Sequence, residues 1–385
     1  MATRRSPIRV CFVALNAFGA LSGAPTRHSG GVERQQSMIA RWFARRGYDT
    51  SLVTWDEGQQ DAVVLDGVRV LKTCRRDHGL PGLRFLHPRW TGFASALARA
   101  DADVYHYASA DMGLGQLSLW CRWRRRACLY SLSSTWGADA RLPHLKPLRE
   151  RVLYRVGLRR SASVLAQTEL QRSMLERGFG IASEVIPMPC EPLGDASPRP
   201  HPRGRRVIWV GRFSEEKRLE WLLDVAVLAP DVTFDVVGAP NVDTPYATAL
   251  IQRASRLQNV TLHGRVADRD RITQLYRESA LLCCTSSSEG FPNTFLEAWS
   301  LGIPTVSTFD PDGIISSREL GEVVEDVPAL ARGIESLLAS AERYSRASER
   351  AAGYFAANHA LERVMPRIEA AMQSAHQSTL AASTS

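Results

Sequence analysis

Short apolar runs rich in Val, Leu and Ile alternate with amphipathic stretches along most of the chain, and this alternation limits the fold more than any other feature. In the first half the runs are RVCFVALN, TSLVT, VRVLK, DVYHY, ACLYSLS, ASVLAQ and SEVIPM; in the second they are RVIWVG, TFDVVG, NVTLHG, SALLCCT and IPTVST. Runs of this length and composition read as strands buried on both faces. Between them lie helical stretches such as GVERQQSMIARWFARR, where Val32, Ile39 and Phe43 recur at helical spacing and Gly47 ends the run. Buried strands alternating with helices give an α/β class with parallel sheets covered on both sides.

The rhythm breaks once, at MPCEPLGDASPRPHPRGR, which is dense in Pro, Gly and charge, and a second complete set of strands and helices follows. A chain of 385 residues suits two doubly wound domains. The predicted layout is a first domain over 1–187, a linker and hinge over 188–204, and a second domain over 205–355. An amphipathic helix is expected over 356–373, although Pro366 interrupts it, followed by a disordered tail over 374–385.

Composition excludes some classes and leaves others open. Seven cysteines without a C-x-x-C spacing read as buried thiols in a reducing compartment. No apolar run approaches the length of a membrane span, and the N-terminus leads straight into a strand, so a cytoplasmic protein is expected. The formal charge is +8, and arginine supplies 45 of the 48 basic residues, which makes each of the three lysines (Lys72, Lys146, Lys217) informative. The basic excess favours anionic partners: phosphates, nucleic acid or a lipid surface. The segments CRWRRRACLY and RVLYRVGLRR set Trp and Tyr among arginines, a pattern for contact with an anionic leaflet, or simply a solvated helix surface.

In parallel sheets a ligand lies beyond the carboxyl ends of the strands, close to helix N-termini. Four stretches occupy such positions. VGRFSEEKR follows a strand; Gly211 permits a turn, and Arg212 with Lys217 makes a clamp for a diphosphate or, in the blander reading, two solvated charges beside Glu215 and Glu216. SSSEGFPNTFLEAW places Glu289, Gly290, Phe291 and Pro292 in a loop and starts a helix at Asn293 and Thr294, with Glu297 just inside it. Carboxylates there can accept bonds from sugar hydroxyls, or merely complement a helix dipole. RHSGGVERQQ offers Gly30 and Gly31 for close backbone approach. DVYHYASADMG ends a strand at His106 and opens a helix at Asp111, which serves as cap or as ligand contact. Neither a G-x-G-x-x-G nor a G-x-x-x-x-G-K-[ST] string is present. Two D-x-D strings occur: Asp101–Asp103 precedes a strand, and Asp310–Asp312 follows one in a turn.

Together these stretches resemble the glycosyltransferase family 4 pattern: EGFPNTFLE for its E-x7-E signature, GRFSEEK for its Arg/Lys pair, and GGVERQQ for its glycine loop. The resemblance implies a GT-B fold, two Rossmann-like doubly wound domains facing across a cleft, with the last helix crossing back to the first domain. It implies a UDP- or GDP-sugar held by the second domain, a glycan or lipid-linked acceptor held by the first, transfer with retention, and no cofactor or obligatory metal. By the same resemblance Glu289 meets sugar hydroxyls, Glu297 the ribose, and Arg212 and Lys217 the diphosphate. Many members carry H-x-H where this chain has His106 and Ala108. A sugar contact then falls to His106, Ser109 or Asp111, or the donor phosphate does the proton work. The setting implied is surface polysaccharide or glycoconjugate synthesis; the Arg/aromatic segments add an expected peripheral contact at the inner face of the plasma membrane. An epimerase or phosphorylase of the same fold and a non-catalytic sugar-nucleotide binder are the alternatives. A nucleic-acid binder is a weaker one, since no RNA- or DNA-binding motif accompanies the charge.

Overall fold

The computed structural model describes residues 8–24, 30–80, 85–202, 204–240 and 242–384. They form two compact units: one takes the chain up to Pro187 together with the residues from Met365 on, and the other takes Met188–Val364.

The first unit is built on eight strands: β1 (Val10–Val13), β2 (Thr50–Thr54), β3 (Val63–Leu65), β4 (Val68–Lys72), β5 (Val104–Tyr107), β6 (Ala127–Ser131), β7 (Ser163–Ala166) and β8 (Glu184–Val185). Their order is β3-β4-β2-β1-β5-β6-β7-β8, parallel throughout except that β3 runs antiparallel to β4. The central strands β1, β2 and β5 are buried at every residue, as their uniform apolar character requires. Consecutive windings leave β1 on opposite sides, to β2 and to β5, so the strand order reverses between β1 and β5. One face of the sheet packs Tyr105, Tyr107 and Tyr130 against Leu114, Leu117, Trp120 and Tyr154. The helices Met112–Arg124 and Leu148–Arg160 pack so closely there that a Cβ on Gly115 would lie 2.2 Å from the Leu153 carbonyl oxygen.

The second unit carries six parallel strands: β9 (Arg206–Val210), β10 (Thr233–Val237), β11 (Val260–Gly264), β12 (Leu281–Cys284), β13 (Thr305–Ser307) and β14 (Gly321–Val323). Their order is β11-β10-β9-β12-β13-β14, so the reversal falls between β9 and β12. Cores lie on both faces, around Trp209, Leu222 and Phe234 on one and around Ile208, Phe295 and Trp299 on the other. Helices start where the sequence supplies side-chain caps, as at Thr244, Asp268, Asp326 and Ser340.

Three sequence expectations differ from what is observed. The stretch expected as a linker is bound to the second unit along its length. The Cys190 amide donates to the His359 carbonyl (2.9 Å), Leu193 to Ser300 Oγ (3.0 Å) and Arg199 to Ser348 Oγ (2.7 Å). Its prolines remove amide donors but leave enough others to be held. The helix expected over 356–373 runs over Leu361–Thr384; Pro366 removes one early bond without breaking it. That helix also absorbs the tail expected to be disordered, because from Ala370 the chain carries Ala, Met, Gln and Leu and neither Gly nor Pro. Among the described residues no helix is long and apolar enough to cross a membrane.

Candidate functional site

In the second unit the loops after β9 and β12 flank the reversal of strand order, the position where open α/β sheets take ligands. The carboxyl edge there is bare backbone. Gly211 follows β9, Gly238 follows β10 and Gly264 ends β11, and their amides form a relay: Gly211 donates to the Val237 carbonyl (3.0 Å) and Gly238 to that of Gly264 (2.8 Å). Gly238 has φ +141°, and a Cβ on it would fall 1.8 Å from the Gly211 carbonyl oxygen. No other residue fits there.

The two loops are joined by several bonds. The Ser287 amide donates to the Glu216 carbonyl (2.8 Å), Thr285 Oγ1 to the Lys217 carbonyl (2.6 Å), and Trp209 Nε1 to Thr285 Oγ1 (2.9 Å). Lys217 Nζ forms an ion pair with Glu289 Oε1, both side chains mostly shielded from solvent. The ammonium expected at a diphosphate and the carboxylate expected at sugar hydroxyls are thus brought together. Arg212 takes a different direction. Its exposed guanidinium reaches Glu216 Oε1 one turn on (2.9 Å), at an open hollow of about 650 Å³ that Phe213, Ser214, Thr244 and Tyr246 also line. The two cations expected to clamp one group therefore hold different carboxylates.

Gly290 and Phe291 lead to Pro292, which precedes the helix Asn293–Trp299; the helix has no side-chain cap, and Asn293 and Thr294 open its first turn half-buried. Phe291 is buried against His359 and Trp299. Glu297, four residues into this helix, accepts a bond from the buried Tyr276 hydroxyl (2.7 Å). Each acid of the pair is held by a different element: Glu289 by the loop after β9, Glu297 by the helix Arg269–Glu278. Burial and the Glu289 charge push the neighbouring Cys284 thiol up, so it stays protonated.

The first unit holds a cavity of about 140 Å³ at its own reversal, lined by Asn16 after β1 and by Ala108, Ser109 and Asp111 after β5, with Glu33 and Arg76. Arg76 donates to Asn16 Oδ1 (2.9 Å). Carboxylates, an amide, a hydroxyl and a guanidinium suit a polyhydroxylated ligand. Asp111 lines this cavity and caps the helix Met112–Arg124, accepting from the Gly113 amide (2.7 Å) and the Tyr107 hydroxyl (2.6 Å). Burial raises its carboxyl pKa, and those two bonds only partly oppose the rise.

Two expectations for this unit are corrected. His106 does not line the cavity. It is buried within the sheet, with Nδ1 on Gln36 Oε1 (2.8 Å) and Nε2 on Ser131 Oγ (2.7 Å), and burial lowers its pKa to about 3. A neutral, doubly bonded imidazole is a structural member of the core. Gly30 does not offer its amide to an anion: the Glu33 carboxylate already takes it (2.9 Å) and packs where a Cβ would be. Gly31 is the first residue of the helix Gly31–Arg45.

Of the acids in the D-x-D strings, Asp101 and Asp103 pair with Arg9 and Arg126, and Asp310 accepts from the Ile315 amide (2.8 Å) and Ser316. In the Arg/aromatic segments Trp123 is exposed, with Arg124 over its ring, whereas Tyr130 and Tyr154 are buried and bonded to each other (3.0 Å).

Sequence reasoning missed Gly238, Tyr276, Glu33, Gln36 and Arg218. Gly238 left a local trace, as the Gly that closes TFDVVG, and Glu33 another, at capping-box spacing from Gly30.

The chain matches two family models, a glycosyl transferase 4-like domain over residues 30–191 and glycosyl transferases group 1 over residues 204–340. It is 30% identical over 185 residues to mannosylfructose-phosphate synthase of Agrobacterium fabrum, covering 42% of this chain and 40% of that protein. It is 26% identical over 173 residues to the UDP-N-acetylglucosamine–peptide N-acetylglucosaminyltransferase GtfA subunit of Streptococcus parasanguinis, covering 42% of this chain and 33% of that protein. The chain thus spans well under half the length of these curated relatives. In structure it is similar to Anabaena HepE in complex with UDP and glucose (TM-score 0.74, 18% identity, 95% of this chain and 100% of that one). It is similar also to sucrose-phosphate synthase of Thermosynechococcus elongatus (TM-score 0.75, 16% identity, 96% and 98%).

Proposed function

The chain belongs to the glycosyltransferases, with a 4-like domain and a group 1 domain on the GT-B fold, and from that premise we propose that it moves a sugar from a UDP- or GDP-sugar to a glycan or lipid-linked acceptor. The observation that carries the reading is the pairing of Lys217 with Glu289 at the strand-order reversal of the second unit. Transfer from a nucleoside diphosphate builds negative charge on the departing diphosphate, and preorganised donors aimed there lower the barrier most. Lys217 supplies a shielded ammonium, Arg212 an exposed guanidinium at the rim, and the uncapped helix Asn293–Trp299 its N-terminal amides. Glu289 accepts sugar hydroxyls and Glu297 the ribose diol. With these cations in place the reaction needs no divalent ion. Retention of anomeric configuration is proposed from the family resemblance. The polar cavity of the first unit takes the acceptor, with Asp111, Ser109 and Glu33 facing its hydroxyls.

We place the enzyme in the cytoplasm, in surface-glycan synthesis, in peripheral contact with an anionic membrane. Leu148 and Val152 support that contact: they are exposed one turn apart on a helix that also exposes Arg149 and Arg155.

The test is a thermal-shift panel of nucleoside diphosphates and nucleotide-sugars. One base class is expected to raise Tm, and Lys217→Ala to cut that affinity by about tenfold or more, the scale of one charge-assisted contact. No shift with any nucleotide would count against the donor reading. Nucleotide release that needs an acceptor, persists in EDTA and yields a product of unchanged anomeric configuration checks the rest. Binding without release under any acceptor would leave a non-catalytic binder.

A further inference from the structure

We infer that Arg218 is a positioning residue of the donor site, a clamp that holds the Lys217 loop against the Glu289 loop. The inference rests on the donor reading only for the ligand's name, a nucleoside diphosphate; the clamp itself is read from geometry. Arg218 has φ +46° and ψ +49°, a left-handed conformation that a residue with a Cβ rarely adopts. Its side chain offsets that cost. Nε donates to the Thr285 carbonyl (2.7 Å), and one terminal nitrogen donates to the Ser286 carbonyl (3.2 Å) and to Thr308 Oγ1 (2.8 Å). The guanidinium lies 3.9 Å from the Trp221 ring centroid. One side chain thus reaches the end of β12, the residue after β13 and the helix that follows its own loop.

The position gives these contacts their consequence. Arg218 directly follows Lys217, and Thr285 and Ser286 lead into the loop that carries Glu289. Other bonds to backbone already join the loops, from the Ser287 amide and hydroxyl to the Glu216 carbonyl and from Thr285 Oγ1 to the Lys217 carbonyl. These end on backbone, and of the Lys217 side chain only the ammonium is held, by Glu289. The guanidinium fixes Arg218 at three polar points and so fixes the direction in which the preceding residue projects. A planar fork is needed for this; an ammonium has no equivalent geometry.

The scarcity of lysine gives a readout that needs no ligand. The chain has three lysines, of which Lys146 is exposed and Lys217 is shielded in its ion pair. Amine acylation of the full-length chain, read by mass spectrometry with Lys146 as internal standard, measures how firmly Lys217 is held. Arg218→Ala and Arg218→Gly are expected to raise Lys217 labelling about tenfold relative to Lys146, and the KM for the nucleotide-sugar by a similar factor. Thr308→Val, which removes one of the three polar partners, should fall between them and the wild type. The glycine variant separates the explanations, since it keeps the left-handed backbone without strain and folds where alanine does not. If it labels and binds like the wild type, only the backbone conformation matters and the clamp is overturned. Unchanged labelling in both variants overturns it too. If labelling rises as expected while the wild type binds no nucleoside diphosphate, the donor reading falls and the clamp stands.

Discussion

His106 has both ring nitrogens bonded inside the first unit, and His359 Nδ1 donates to the Met188 carbonyl in the second. Burial lowers their pKa values to about 3 and about 4. The unfolded chain binds those protons near pH 6.5, so the stability tied to each neutral imidazole is complete above that pH. It is lost as pH falls toward the folded value, at up to about 1.4 kcal/mol per pH unit per histidine. Melting temperature should therefore drop from pH 6.5 to 4.5, with both imidazoles still neutral at pH 5 by nitrogen NMR; a flat profile would contradict this. Asp111 has the opposite sign. Its folded pKa lies above the unfolded one, so the folded state keeps a proton longer, and stability declines as pH rises through that window. Asp111→Asn can still accept from Gly113 and Tyr107, so its Tm relative to wild type should increase from pH 4 to pH 7. At this scale the sequence showed which charges sit at strand ends, and Lys217 and Glu289 do meet. It did not show directions. In DVYHY both faces are apolar or aromatic, so nothing local says which side His106 takes, and its partner Gln36 lies on a distant helix. The partners of Arg218 are likewise remote in sequence.

All the parallel strands but β14 were legible because uniform apolar runs admit little else. The strands missed, β3 and β14, are three residues long and at sheet edges, where half-exposure dilutes the signal. For β3 a clue was available: Asp66-Gly67 sits between Leu65 and Val68, and both residues take positive φ (+49° and +81°), as a two-residue hairpin demands. Glycines separate into costly and replaceable ones by the same geometry. Gly238→Ala forces a Cβ into the Gly211 carbonyl at an unfavourable φ and should cost about 2–4 kcal/mol, seen as a loss of several degrees in Tm. Gly353 is exposed within the helix Ala341–Asn358 with nothing near its Cβ position, so Gly353→Ala should raise stability by about 0.5–1 kcal/mol in denaturant titration.

The first unit is assembled from two distant parts of the chain. In the closing segment Met365, Ile368, Met372 and Ala375 are buried, Glu369 accepts from the Tyr48 hydroxyl, and Arg367 donates to the Val185 carbonyl (2.6 Å). Deleting the chain after Val364 should speed amide exchange around Tyr48 and Val185 and leave β9 and β12 unchanged; equal loss in both units would refute this. The arrangement also bears on how the protein is made. The first 187 residues leave the ribosome lacking one wall, and at roughly 10 residues per second the missing piece follows on the order of 20 s later. During that wait an oily strip is uncovered while the second unit, whose residues are contiguous, can already close. Newborn chains should therefore depend on chaperone shelter in their front half, and a premature stop near the end should yield a protein half sound and half sticky.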